Sequence, residues 1–95
     1  MLSEIPFDLS RLDGKELDRE VVRVGMIAEL DAVSLYEQLA SMTDHPLVKA
    51  VFLDIAKEEK THMGEFQALL LRLDEEQAQE LEAGREEVAE LESEL

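Results

Sequence analysis

A long proline-free segment with apolar residues at helical spacing dominates the first half of the chain. It predicts a helix over residues 13–42 that is apolar over a wide arc, because two rows of apolar side chains run along it. A helix with so wide an apolar arc must pack against two neighbours rather than one. The first row is Leu17, Val21, Val24, Ile27, Ala28, Leu35 and Leu39, and the second is Val22, Met26, Val33, Tyr36 and Ala40.

The start of this first helix is marked by a change from irregular to capping residues. Residues 1–12 are predicted to be an irregular lead-in, since Pro6 interrupts an early helix. Asp13 is predicted to be the N-cap, and Glu16 stands three residues later, as in a capping box.

The second helix follows a short break at Thr43–Pro46. Asp44 is predicted to be its N-cap, because aspartate is a favoured capping residue. Pro46 is compatible with this start, since proline is tolerated in the first turn of a helix. The helix is predicted over residues 44–72, and so short a connection makes the first two helices an antiparallel hairpin. Its predicted inner face consists of Val48, Val51, Phe52, Ile55, Glu59, His62, Phe66, Leu69 and Leu70.

A third helix is predicted over residues 74–95, with Asp74 as its N-cap. Glutamate dominates this segment, Gly84 interrupts it, and its apolar stripe is thin. We interpret it as a helix that docks weakly or needs a partner, and a solvated acidic tail is the alternative. The fold class is therefore all-α, with residues 1–95 forming a single domain.

The charge of the chain excludes several kinds of partner. The formal net charge is −15 over 95 residues. Such a surface repels nucleic acid and anionic membranes and attracts cations. The chain contains no cysteine, so neither disulfides nor thiolate metal sites are expected.

The N-terminal sequence Met1–Glu4 lacks the positive charge of a secretory signal, and no apolar run reaches the roughly 18 residues of a membrane span. We therefore expect a cytoplasmic protein.

Ionisable residues interrupt the apolar inner faces of both hairpin helices. Glu29 lies on the second row of the first helix, and Glu59 and His62 lie on the inner face of the second. Charged groups are rarely buried unless they are paired or bind a metal. Glu59 and His62 are three residues apart and point the same way, which is the Glu-x-x-His arrangement of ferritin-like di-iron proteins. His45, in the turn, is predicted to be a surface residue.

These three residues are half of a complete ligand set. A di-iron four-helix bundle takes a single Glu from each of two helices and Glu-x-x-His from each of the other two. This chain has one helix of each kind, so two copies around a two-fold axis complete the set. The sequence thus predicts a ferritin-like four-helix bundle that forms only on dimerisation.

Two stretches, Ala28–Tyr36 and Glu58–His62, resemble the encapsulated ferritins, and the similarity covers residues 17–73. The resemblance implies a ferroxidase that oxidises Fe(II) with oxygen at a di-iron centre between two subunits. It also implies an annular decamer, a ring of five dimers, that supplies iron for mineral storage inside an encapsulin shell.

The resemblance assigns the site residues one by one. Glu29, Glu59 and His62 match the iron ligands of the family, and Tyr36 matches the tyrosine beside the centre, where it would hydrogen-bond a ligand carboxylate. Asp31 matches one acid of a site where metal enters the family's proteins.

The chain departs from the family pattern in two places. Ala28 and Leu35 stand where better-known members have an acid and a tryptophan, so a metal-uptake site of that form is not expected. Residues 90–95 do not resemble the apolar targeting peptide of free-standing members. A shell fusion or a trimmed chain would explain that difference.

Two other functions remain open. The hairpin could be a structural or cargo module whose carboxylates hold zinc or calcium. It could also be a di-iron or di-manganese protein of the peroxidase or oxygenase type.

Overall fold

Three α-helices follow one another in the computed structural model, which describes residues 8–95, and these residues contain no strand. A 3-10 turn at Leu9–Arg11 precedes α1 (Gly14–Met42), α2 (Pro46–Leu73) and α3 (Glu75–Ser93). The predicted all-α class is confirmed. The expectation of an irregular lead-in falls largely on residues 1–7, which lie outside the described residues.

The predicted capping box at the start of α1 is wrong. Asp13 occupies the N-cap position, but its side chain accepts no hydrogen bond from the helix. The next residue, Gly14, has a φ of +54°, a left-handed conformation that glycine adopts without strain. The left-handed residue directly after Asp13 is the local feature that accompanies the missing cap bond.

The predicted cap of α2 is wrong by one residue. His45, and not Asp44, is the N-cap, and its Nδ1 accepts a hydrogen bond from the Val48 amide at 3.3 Å. Pro46 occupies the first turn, where its missing N–H costs nothing. The third cap is as predicted, because the Asp74 carboxylate accepts from the Gln77 amide at 3.0 Å.

The helices α1 and α2 pack along the second apolar row of α1. Contacts at opposite ends of the hairpin show that the helices are antiparallel, since Gly25 faces Phe66 and Tyr36 faces Phe52. The hydrophobic side chains buried within the described chain are Val22, Val33 and Ala40 from α1, and Ala56 and Leu70 from α2.

Much apolar surface stays uncovered in the single chain. The radius of gyration is 16.8 Å, against about 12 Å for a compact domain of this length. The larger exposed apolar side chains of the hairpin are Val21, Leu30, Met42, Leu47, Val48, Val51, Leu53 and Leu69. In residues 8–95, no helix is both long enough and apolar enough to cross a bilayer.

The third helix is tied to α1 through its N-cap residue, Asp74. The backbone of α3 approaches α2 and not α1, and none of its residues is buried. Asp74 is buried; besides capping α3, it accepts a hydrogen bond from the Arg23 guanidinium of α1 at 2.7 Å. This agrees with the predicted weak docking of α3 within the single chain.

Replacing Asp74 with alanine should destabilise the hairpin in a pH-dependent way. The Gln77 amide and, after it, the charges of Arg23 and Arg19 hold the pKa of Asp74 below its ordinary value of 3.8, although partial burial opposes this. A lowered pKa contributes stability above pH 3.8 that is lost as the pH falls through the folded-state pKa.

Loss of the cap should lower the melting temperature at pH 7 by about 4–8 °C. The difference from wild type should shrink below pH 4, as thermal unfolding followed by circular dichroism will show. Asp44→Ala is the matched control, because Asp44 is exposed and caps nothing. An equal loss in both variants would contradict the role of Asp74.

Candidate metal centre

The three predicted ligands meet at one point between α1 and α2. Glu29, Glu59 and His62 each offer one ligand atom, and these atoms all lie within 4.8 Å of one another. The His62 Nδ1 lies 3.4 Å from Glu59 Oε2 and 3.7 Å from Glu29 Oε1. The Glu59 and His62 side chains converge because residues three apart share one face of a helix.

The carboxylates are more deeply buried than the imidazole. The side chains of Glu29 and Glu59 are 18% and 19% exposed, whereas His62 is 45% exposed. The cluster therefore opens toward solvent on the histidine side. Its walls are apolar, since Val33 is buried one turn from Glu29 and Ala56 is buried one turn from Glu59.

One oxygen of the cluster has no partner within the described chain. Glu29 Oε2 is buried and makes no hydrogen bond there. An unsatisfied buried polar atom costs about 1–3 kcal/mol, and more when it is charged. A cation between the three side chains would satisfy this oxygen, and two carboxylates with one imidazole suit iron and zinc. The residues present therefore fit a metal ion.

A pair of aromatic side chains lies between the cluster and the turn of the hairpin. Toward the turn, Tyr36 and Phe52 pack with ring centroids 6.0 Å apart. The role of Tyr36 beside a metal stays a prediction.

Two other residues considered in the sequence lie outside the cluster. Asp31 is half-buried on α1 and is not brought to the three ligands. His45 is exposed in the turn, as predicted, but the sequence did not reveal that it caps α2.

Sequence reasoning also missed the contact between Gly25 and Phe66, one turn from the cluster. The available signal was a glycine inside a long helix, which costs about 1 kcal/mol relative to alanine and so needs a reason.

An all-α hairpin with an inward Glu on one helix and Glu-x-x-His on the next defines the ferritin-like class of metal-binding proteins. The chain belongs to the rubrerythrin family, which residues 20–95 match.

Individual relatives agree with this class. The chain is 54% identical over 77 residues to the ferritin-like–encapsulin shell fusion protein of Pyrococcus furiosus, covering 81% of this chain. It is 38% identical over 68 residues, or 72% of its length, to an encapsulin nanocompartment cargo protein of Myxococcus xanthus. The predicted resemblance to encapsulated ferritins is confirmed.

A solved structure shows the same fold. The crystal structure of the encapsulated ferritin domain from Pyrococcus furiosus superposes with a TM-score of 0.81 at 52% identity, covering 84% of this chain and 82% of that one. The chain spans only 22% of the Pyrococcus fusion protein and 52% of the Myxococcus cargo protein.

Proposed function

We propose that this chain is a ferroxidase, for which Fe(II) is the substrate and dioxygen the oxidant. The observation that carries the proposal is the convergence of Glu29, Glu59 and His62, with one carboxylate oxygen buried and unpartnered. Because the carboxylates are acceptors only, the cluster suits a cation better than it suits an organic substrate.

The donor set matches the requirements of iron. Carboxylates offset the charge of Fe(II) and can bridge two ions, while the neutral imidazole adds a nitrogen ligand. In the single chain the His62 Nδ1 faces both carboxylates, so this nitrogen and the carboxylate oxygens could bind the same metal ion.

A second copy of the chain would complete the centre. Each hairpin supplies three ligands, and the open side of the cluster leaves room for three more from a partner. The same association would cover the apolar side chains that the single hairpin leaves exposed, which include Val21, Val51 and Leu69. We propose a homodimer that forms a four-helix bundle, with five such dimers in an annular decamer.

Two ions held together make the oxidation a two-electron step. Each Fe(II) gives one electron to the same dioxygen molecule, which takes up two protons and leaves as hydrogen peroxide, and two Fe(III) remain. A paired site avoids releasing superoxide, the product of a one-electron transfer. The contribution of the chain is fixed ligand geometry with an open side for oxygen.

The surroundings of the centre favour delivery of cations. The net charge of −15 raises the local concentration of metal ions near the surface. Since the names of two relatives refer to encapsulin, we propose that the chain works inside an encapsulin compartment in the cytoplasm, where Fe(III) is stored as mineral.

Adding Fe(II) in air to the purified protein tests the proposal. Ferric absorbance should rise faster than in buffer, and native mass spectrometry of the same sample should show assemblies with an even number of subunits. Oxidation no faster than in buffer would defeat the ferroxidase assignment. A chain that stays monomeric at saturating metal would defeat the shared site.

A further inference from the structure

The Phe66 ring of α2 lies against α1 at a position that has no side chain. A Cβ placed on Gly25 would come within 3.1 Å of Phe66 Cε1 and within 3.2 Å of its Cδ1 and Cζ. Ordinary contacts of a Cβ lie at 3.4–4 Å. The ring therefore occupies space that any residue other than glycine would need.

This contact and the ligand cluster form consecutive layers of the interface between the antiparallel helices α1 and α2. Gly25 precedes Glu29 by four residues on α1, and Phe66 follows His62 by four residues on α2. Four helical residues rise about 6 Å, so the ring lies one turn from the ligands on both helices. Over one turn a packed helix is stiff, so a displacement of the backbone in one layer is transmitted to the next layer.

We propose that the Phe66 ring, seated against the bare backbone of Gly25, is the positioning contact that sets how closely Glu29 approaches Glu59 and His62. Phe66 touches no metal in this role and acts through the spacing of the helices. The inference rests on the proposed function, because it concerns the same cluster, and it identifies what determines the metal affinity of that cluster.

The distances involved are large enough to matter. A Cβ on Gly25 would force the ring or the helix to give way by a few tenths of an ångström. Metal sites hold their ligand distances to within about 0.2 Å. Disturbing groups that orient the ligands of metal sites typically costs about 10–100-fold in affinity.

Gly25→Ala should therefore weaken binding of Zn(II), a redox-inert probe, by about 10-fold or more, measured by competition with a chromophoric chelator. Helix content by circular dichroism should be retained, because alanine is the best helix former. Phe66→Leu in the Gly25→Ala background removes the ring edge that the new methyl group meets, so the double variant should recover much of the lost affinity.

Gly64→Ala is the matched control. Gly64 lies on α2, two residues from His62, and nothing lies within 4 Å of a Cβ placed there. This variant should bind Zn(II) as wild type does. Unchanged affinity in Gly25→Ala would overturn the positioning role, as would an equal loss in Gly64→Ala or a double variant no better than the single one.

The Zn(II)-binding experiment can fail independently of the Fe(II)-oxidation experiment that tests the ferroxidase proposal. If wild type binds Zn(II) at the cluster and fails to oxidise Fe(II), the ferroxidase assignment falls and the positioning role can still hold. If Fe(II) is oxidised and Gly25→Ala binds Zn(II) normally, the positioning role falls alone.

Discussion

Replacing Glu59 with glutamine should abolish Fe(II) oxidation, with a loss of more than about 100-fold in initial rate, the upper range for residues that only support a metal ligand. Glutamine keeps the size of the side chain and its helical preference but removes the negative charge. Glu59 Oε2 lies 3.4 Å from His62 Nδ1, so the change alters two of the three ligands at once. In the two-fold dimer that we propose, each substitution would act twice and would leave the shared centre with two carboxylates instead of four.

The adjacent residue provides the control for this experiment. Glu58 is exposed and lies outside the cluster, so Glu58→Gln removes the same charge from the same turn of α2. That variant should oxidise Fe(II) at nearly the wild-type rate. If the two variants lose activity equally, the activity depends on the general acidic surface and not on the cluster. If neither loses activity, the oxidation takes place elsewhere on the chain.

The sequence was sufficient to predict the helices, but it predicted the inner face of α2 only in part. Val48, Val51 and Leu69 were placed on that face and are exposed in the single chain, whereas the buried Ala56 was not predicted to lie there. Helical spacing of apolar residues depends only on the geometry of a single helix, so it can be read without knowing the partner. Of the two rows on α1, the row that contains Val22, Val33 and Ala40 is the buried one. The other row contributes no buried side chain, and Val21 is its one large side chain that is exposed in the described chain.

Helix caps were predicted less well because they depend on the conformation of one or two residues. Asp13 failed as a side-chain cap beside Gly14, whose positive φ the sequence did not indicate. Asp44 failed because His45 adjoins Pro46 and reaches the first free amides. Asp74 succeeded because its carboxylate, directly before α3, accepts a hydrogen bond from the Gln77 amide of the first turn.

The sequence predicted the residues of the ligand cluster but not the packing contact beside it. Glu59 and His62 converge through spacing within one helix, and a single inward Glu29 is conspicuous among apolar neighbours. The contact between Gly25 and Phe66 depends on the register of one helix against the other. Register follows from packing along the whole hairpin, which no short motif encodes.

The geometry of Glu29 leads to a second large effect, on stability in the absence of metal. Glu29→Met should raise the melting temperature of the metal-free protein and remove its response to metal. Methionine has a similar length, favours helix and leaves no unpartnered oxygen, whereas Glu29 Oε2 is buried without a partner in the described chain. Replacing a carboxylate that has one buried, unpartnered oxygen with an apolar side chain should stabilise the fold by about 1–3 kcal/mol.

Wild type should respond to metal in the opposite way. A metal that binds only the folded state at 100 times its Kd adds about 2.7 kcal/mol, which in a domain of this size raises the melting temperature by roughly 10–20 °C. Melting curves recorded by circular dichroism with excess chelator and with excess Zn(II) should therefore cross: Glu29→Met melts higher with chelator, and wild type melts higher with Zn(II).

Glu65→Met is the control, because Glu65 is exposed on α2 and the cluster does not include it. It should keep the response of wild type to Zn(II). Glu29→Met that melts below wild type in chelator would show that the buried carboxylate is satisfied without metal, since the predicted gain comes only from removing an unpaired oxygen. A full Zn(II) response in that variant would place the stabilising metal somewhere other than the cluster, because a ligand set reduced by one carboxylate per chain cannot retain the same affinity.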